Sequence, residues 1–306
     1  MPFFLVKVKN KLIYEITRRQ REKNLQRVAE SGVSVQSVDE TIEYLIKHKA
    51  SIARFGDGEI NLIFRKDIPL QTASYEMAQH LKLVLSKHAS NKNFVVAIPD
   101  IINYGEYFRE SSKKFWEEYL AKNARKWLKH LKPGFPYFNA HVTRLYMDWK
   151  DKGNTEKWYN QIKKIWQDRD VVIIEGEKSR IGVGNDLLAG AKSIKRILCP
   201  VNNAYDAYSE ILAAALSCDK KALMLLALGP TATVLAYDLF LKGFQAIDIG
   251  HIDIEYCWYL AGAQEKQIVI GKHTPETKGG FDVKSIEDSN YLTQIMMCIQ
   301  CGTEQS

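Results

Sequence analysis

From residue 51 onward, short apolar runs alternate with polar or glycine-rich turns. "SIARF" precedes GDGE, "FVVAI" precedes PD, "VVIIE" precedes GEKSR, "RILCP" precedes VNN, "LMLLAL" precedes GPTAT and "AIDIG" precedes HIDIE. Between several of these runs lie stretches of helical length and pattern, among them Ala204–Leu216 and Ala232–Lys242. β-rich apolar runs alternating with helices predict an α/β fold built on a mostly parallel sheet, covered by helices on both faces. Ligands of such sheets bind beyond the carboxyl ends of the strands, which is where these turns fall. None of the turns carries G-x-G-x-x-G, and no G-x-x-x-x-G-K-[ST] occurs, so neither a dinucleotide fingerprint nor a Walker-type NTPase is written here.

Two regions break the alternation. Residues 104–166 hold fifteen of the chain's 33 Phe, Trp and Tyr residues, which marks them as a helical insertion packed over the sheet. "KFWEEYLAKNARKWLKHL" reads as helix and "KPGFPYFNA" breaks it. Most of these aromatics are expected in a core, although an aromatic face also suits stacking on a sugar ring. The first thirty residues predict a basic amphipathic helix with Leu5, Val8, Leu12 and Ile16 on one face. Such an arm packs on its own domain or a partner, or lies on an anionic membrane surface. The organisation expected is an N-terminal arm over 1–35 and a single domain over 36–306.

Charge narrows the class of partner. The formal net charge is +7, from 43 Lys and Arg against 36 Asp and Glu. Eight basic residues against three acidic ones fall within residues 1–30, so the rest of the chain is nearly neutral and offers no basic groove for nucleic acid. No apolar run reaches the ~18 residues of a membrane span, and the start lacks a signal-peptide core. Five cysteines, an odd number, fit a reduced cytoplasmic protein; Cys298 and Cys301 form one CxxC in an otherwise ordinary tail.

Four turns carry candidate chemistry. In "RFGDGEI" the carboxylates of Asp57 and Glu59 stand at i, i+2. In extended backbone they point to one side and can share a hard divalent cation, Mn²⁺ or Mg²⁺. Arg54, Phe55 and Gly56 adjoin them, the arginine offering a bidentate grip on phosphate and the glycine room for a ligand. In "GHIDIEY" a strand would set His251, Asp253 and Glu255 on one face, a group suited to proton transfer or metal support. "LGPTAT" opens a helix with Gly229, Pro230 and Thr231, whose free amides would form an anion site. "EGEKSRIGVGNDLL" places Lys178 and Arg180 in a loop with Gly182, as a phosphate clamp, with Asn185 and Asp186 entering the next helix. Asn202 and Asn203 offer amide edges to a base or ribose. No G-x-S-x-G nucleophile motif occurs. Together these describe a nucleoside diphosphate leaving group held through a divalent cation.

At this point the chain resembles the GT-D-fold glycosyltransferases. "ARFGDGE", "HVTRLYMDWKDK", "EGEKSRIGVGNDLL", "CPVNNAYDAY", "LALGPTATVLAYDL" and "AIDIGHIDIEY" occur in that family's order, across residues 36 to 275. The resemblance implies a Rossmann-like domain and a metal-dependent transferase. Its donor would be a UDP-sugar, typically UDP-glucose, and its acceptor a sugar on a protein or cell-surface glycan. It matches Asp57 and Glu59 to the family's D-x-E pair, and Arg54, Arg180, Asn185, Thr231 and His251 to motifs around the nucleotide. Cys257 stands where members commonly have an acidic residue, and "GKHTPE" replaces a more usual Asn-bearing ending. The reading is an inverting UDP-sugar transferase in which Asp253 or Glu255, near His251, deprotonates the acceptor hydroxyl. Its rivals are a phosphohydrolase using the same carboxylates, a non-catalytic partner subunit, and a membrane adaptor acting through residues 1–30. Oligomeric state stays open.

Overall fold

The computed structural model describes residues 19, 22–100, 103–281, 283 and 288–300. Eight strands form one sheet: β1 (Ser51–Arg54), β2 (Phe94–Ile98), β3 (Phe138–Asn139), β4 (Asp170–Gly176), β5 (Ser193–Cys199), β6 (Leu223–Ala227), β7 (Gln245–Asp248) and β8 (Ile295–Cys298). Their order is β3-β2-β1-β7-β6-β4-β5-β8, and every pairing is parallel. β2 and β6 are apolar and buried almost throughout, as strands covered on both faces must be. The six apolar runs each became a strand.

The order reverses between β1 and β7, so a crevice opens at their carboxyl ends. The helix Pro230–Leu241 packs on both of these strands and on helices Tyr75–Leu85 and Tyr208–Leu216. It lacks a polar stripe because nearly every side chain from Pro230 to Leu239 is buried in that position. A second group of helices, Val38–His48 and Thr155–Ile162, covers the other side near β3. Val38–His48 begins with a reciprocal cap: Glu40 N–H donates to Ser37 Oγ, and Ser37 N–H donates to the Glu40 carboxylate.

Several expectations change here. The 104–166 segment contains the helix Glu110–Leu128 and buries Trp116, Trp127, Trp149, Trp158 and Trp166, as expected of core aromatics. It is more than a cover, because it supplies edge strand β3. The tail is not plain coil: Ile295–Cys298 pairs with β5. The buried Arg196 of β5 holds that end by donating to Gln294 and stacking on Tyr291. Cys298 is exposed; Cys301 lies outside the described residues. Of the basic arm, residues 22–29 are helical, Val28 and Val33 are buried, and Asn24 donates to Ala121 O. That part packs on its own domain. Leu5, Val8, Leu12 and Ile16, on which the membrane reading rests, lie outside the described residues. Between β4 and β5 the chain forms turns rather than the helix expected after Asn185 and Asp186.

Candidate active site

A cavity of about 890 Å³ opens at the carboxyl edge of the sheet, and the segments following β1 through β7 all line it. That volume lies in the range of ~300–1,000 Å³ common for small-molecule sites. The long connections add the rest: Ser112, Phe115 and Trp116 from the aromatic segment, Lys266, His273 and Glu276 from the loop after helix Ile252–Leu260. Seven carboxylates line the cavity against five Lys and Arg side chains, a formal excess of two negative charges.

Asp57 and Glu59 sit on the cavity wall, in a different backbone from the one expected. They occupy the first turn of helix Asp57–Ile63, and Gly56 is its N-cap. The Glu59 carboxylate accepts the Gly56 N–H at 2.6 Å, so the two carboxylates are brought together by a helix start rather than by an extended strand. Burial pushes Glu59 up to about 7 and raises Asp57 as well. Neither carboxylate has a Lys or Arg within salt-bridge distance among the described residues. Two partly buried, unpaired carboxylates in a cavity with excess negative charge fit a divalent ion. Among the described residues no group of three or more His, Cys, Asp or Glu side chains gathers to hold a metal ion, so Asp57 and Glu59 would be its protein ligands.

Beside them, Arg54 at the end of β1 bridges to β7. Its Nη2 lies 3.1 Å from Asp248 Oδ1, its Nε donates to Asp248 O at 2.9 Å, and its Nη1 donates to Ala140 O at 3.2 Å. Gly250 makes this possible. With φ at +44° and an added Cβ only 1.8 Å from Arg54 Nη2, a side chain there would be strained and would push the guanidinium aside.

A second charged group lines the cavity and acts on Asp57. Arg144 donates to Asp148 at 3.2 Å, approaches Glu255 at 3.5 Å and bonds Glu276. Burial opposes the charge on Arg144, but Glu276, Asp148, Glu255 and Asp57 outweigh it and hold the guanidinium charged. Glu276 also bonds Lys266 and, at 2.7 Å, His251 Nδ1. Burial would raise Glu276; Arg144, the His251 bond and Lys266 pull it far below the usual carboxylate range instead.

The "HIDIE" run is not a strand. β7 stops at Asp248, His251 precedes helix Ile252–Leu260, and the i, i+2 positions therefore do not share a face. His251 reaches the cavity, whereas Asp253 and Glu255 are fully buried and do not line it. Asp253 is bonded by Lys272, Gly182 N–H and Asn185. Glu255 accepts from Tyr146 and Met147 N–H at 3.1 and 2.7 Å. Gly182 and Asn185 are thus engaged in holding Asp253, off the cavity. Arg180 is buried and donates to Gly271 O at 2.8 Å, and Lys178 likewise does not line the cavity. Their neighbours Gly176, Ser179 and Ile181 do. Gly229 and Pro230 reach it, but Thr231 is fully buried and its N–H bonds Leu228 O, so its amide is not free for an anion. Asn202 is exposed beside the lining residues Pro200 and Val201, and Phe55 lines the cavity with Gly56.

Residues 52–277 match the family described as "Glycosyltransferase GT-D fold". The chain belongs to the GT-D-fold glycosyltransferase family. It is 38% identical over 267 residues to a probable glycosyl transferase, Gly, of Streptococcus gordonii, and 36% identical over 264 residues to glycosyltransferase GlyD of Streptococcus pneumoniae serotype 4. These matches cover 87% and 86% of the chain but only 39% and 32% of those proteins, so the chain spans about a third of the length of the two curated relatives. Among solved structures, a domain described as having a distinct glycosyltransferase fold superposes with TM-score 0.85 at 37% identity. That match covers 91% of this chain and 99% of the other. A glycosyltransferase from Streptococcus sanguinis superposes with TM-score 0.83, also at 37% identity, over 87% and 99% of the two chains.

Within this GT-D fold the sequence reasoning passed over Arg144, Glu276, Asp248 and His141. The signals were on the page: "HVTRLYMDWKDK" contains His141 and Arg144, and "GKHTPE" contains Glu276. Arg144 meets Glu276 132 residues on and Asp248 meets Arg54 194 residues back, pairings that no local pattern displays.

Proposed function

We propose that this GT-D protein is a divalent-metal-dependent glycosyltransferase that moves a hexose, glucose by its resemblance, from a UDP-sugar to a glycan acceptor. The observation that carries this reading is the unpaired Asp57–Glu59 pair on the wall of a net-acidic cavity at the β1/β7 crevice. An anionic diphosphate would be repelled by that wall unless a cation intervenes. Asp57 and Glu59 would hold the ion, which when bound supplies positive charge against the departing diphosphate.

The chain's own groups divide the remaining work. Two of the five N–H groups of Arg54 carry no protein hydrogen bond and are available to phosphate oxygens. His251 replaces Asp253 and Glu255 as the base we favour. Its Nδ1–H donates to Glu276, which leaves the Nε2 lone pair to take the proton of the acceptor hydroxyl. Glu276 positions that ring. Direct attack by the activated hydroxyl inverts the anomeric carbon.

Calorimetric titration of UDP, with Mn²⁺ and then with EDTA, tests the reading. Binding that requires the metal supports it and leads to a screen of UDP-sugars. Binding indifferent to EDTA removes Asp57 and Glu59 from the proposal. Phosphate release from sugar phosphates or nucleotides without any transfer would establish the phosphohydrolase instead.

A further inference from the structure

His141 is 3% exposed and lines the cavity, and among the described residues its buried Nδ1 has no hydrogen-bond partner. Leaving a buried polar group unpaired costs about 1–3 kcal/mol, which a ligand can offset. The ring is held rather than loose. Its backbone N–H donates to Asn139 Oδ1 at 2.9 Å, Phe108 packs at 4.5 Å, and Trp149 meets it edge-on at 6.1 Å. Burial pushes its pKa down to about 4, so the imidazole is neutral at physiological pH and offers one donor and one acceptor.

That pairing discriminates among ligands. The ring nitrogen that meets a ligand is a donor or an acceptor according to the tautomer; a phosphate oxygen satisfies only the donor form, whereas a hydroxyl satisfies either. A hydroxyl both donates and accepts. The same cavity has an apolar lining: Trp116 lines it, and so does Phe115, 47% exposed, which meets Trp116 edge-on at 5.3 Å. An apolar ring face beside hydroxyl-matching groups is the chemistry of a pyranose. The Ser112–Asp148 hydrogen bond, 2.8 Å, ties the aromatic helix to the segment that follows His141, and Phe108, just before that helix, packs on the His141 ring.

We propose that His141, with Phe115 and Trp116, forms the subsite that reads a sugar ring, His141 bonding one of its hydroxyl groups. This rests on the glycosyltransferase reading and adds the residues that select the sugar. Either the transferred or the accepting hexose offers this chemistry, and the test separates them.

Wild-type protein, His141→Phe and Phe115→Ala are titrated in Mn²⁺ with UDP, with UDP-glucose, and with free glucose in the presence of UDP. His141→Phe keeps the ring stack without its nitrogens, and Phe115 is exposed enough that its loss leaves the fold intact. A loss of about 3- to 10-fold for UDP-glucose in both variants, with UDP affinity unchanged, assigns the subsite to the donor sugar. The same loss confined to free glucose assigns it to the acceptor. Unchanged sugar affinities in both variants overturn the proposal, as does an equal loss for UDP alone at an unaltered melting temperature. Wild-type protein that binds neither UDP nor UDP-glucose removes the parent reading, and the subsite with it.

Discussion

The chain contains two D-x-E sequences at helix starts just beyond neighbouring strands, Asp57-Gly58-Glu59 after β1 and Asp253-Ile254-Glu255 after β7. They look alike as sequence, and burial raises both Glu59 and Glu255 to about 7, yet their surroundings differ. Asp57 and Glu59 are partly exposed on the cavity, have no salt-bridge partner among the described residues, and are separated by a glycine at which an added Cβ would lie 3.4 Å from Ile68. Asp253 and Glu255 are wholly buried, each with several donors, and the intervening Ile254 packs in a small core with Tyr146, Met147 and Trp258. The first pair has unspent charge facing a ligand. The second has spent its charge on the protein, tying the loops 177–192 and 262–281 and the Tyr146–Met147 backbone to one helix.

The largest contrast is expected from Asp253→Ala. It strands the Lys272 ammonium in the interior and should destabilise the fold by about 3–5 kcal/mol in urea unfolding. The folded fraction keeps its affinity for UDP. A stable but non-binding Asp253 variant would erase the distinction between the pairs. Asp57→Ala should do the reverse, lowering turnover on the order of 10²–10³-fold while the melting temperature holds.

Acidity sharpens the contrast further. Because burial raises Glu59 to about 7, and a cation requires it ionised, Mn²⁺ affinity should climb about tenfold per pH unit below that point and level off above it. The sign is opposite for apo stability. The folded state holds this proton more tightly than the unfolded one, so stability falls between the ordinary value of 4.5 and about 7. Glu59→Gln should flatten the Mn²⁺ profile and shrink the stability profile, to which Glu255, also raised by burial to about 7, still contributes. Gly250→Ala has the smallest expected effect: at φ +44° and against Arg54 it should cost upwards of about 1 kcal/mol and weaken UDP binding modestly.

The sheet was readable because buried parallel strands must be written as apolar runs, and the cavity followed from where those runs end. β8 escaped notice although residues 295–299 read as a short apolar run, because no helix-length stretch and no ligand-bearing turn sets it off from the tail, and only alternate positions of the strand are even half-covered. "HIDIE" was misread because alternation of apolar and charged residues signals a strand only when the charged face is wet; here both faces are buried, and the charges answer to Lys272 and to residues 144–147. Lys178 and Arg180 show the same limit. Their loop was placed correctly, but a glycine-rich turn does not reveal whether its cations face the ligand or, as with Arg180 and Gly271, the next loop.

The place of β1 in the sheet has a consequence for how the protein is made. Ile52 pairs with Ile247, and the Arg54–Asp248 bridge joins residues 194 apart. A ribosome therefore delivers Asp57 and Glu59 early, yet the crevice they face does not exist until the second half of the chain has emerged. Closing so long a loop is slow, and until it closes one edge of β1 stays open to other chains. Activity and protection from aggregation should arise at the same step of synthesis, when β7 docks.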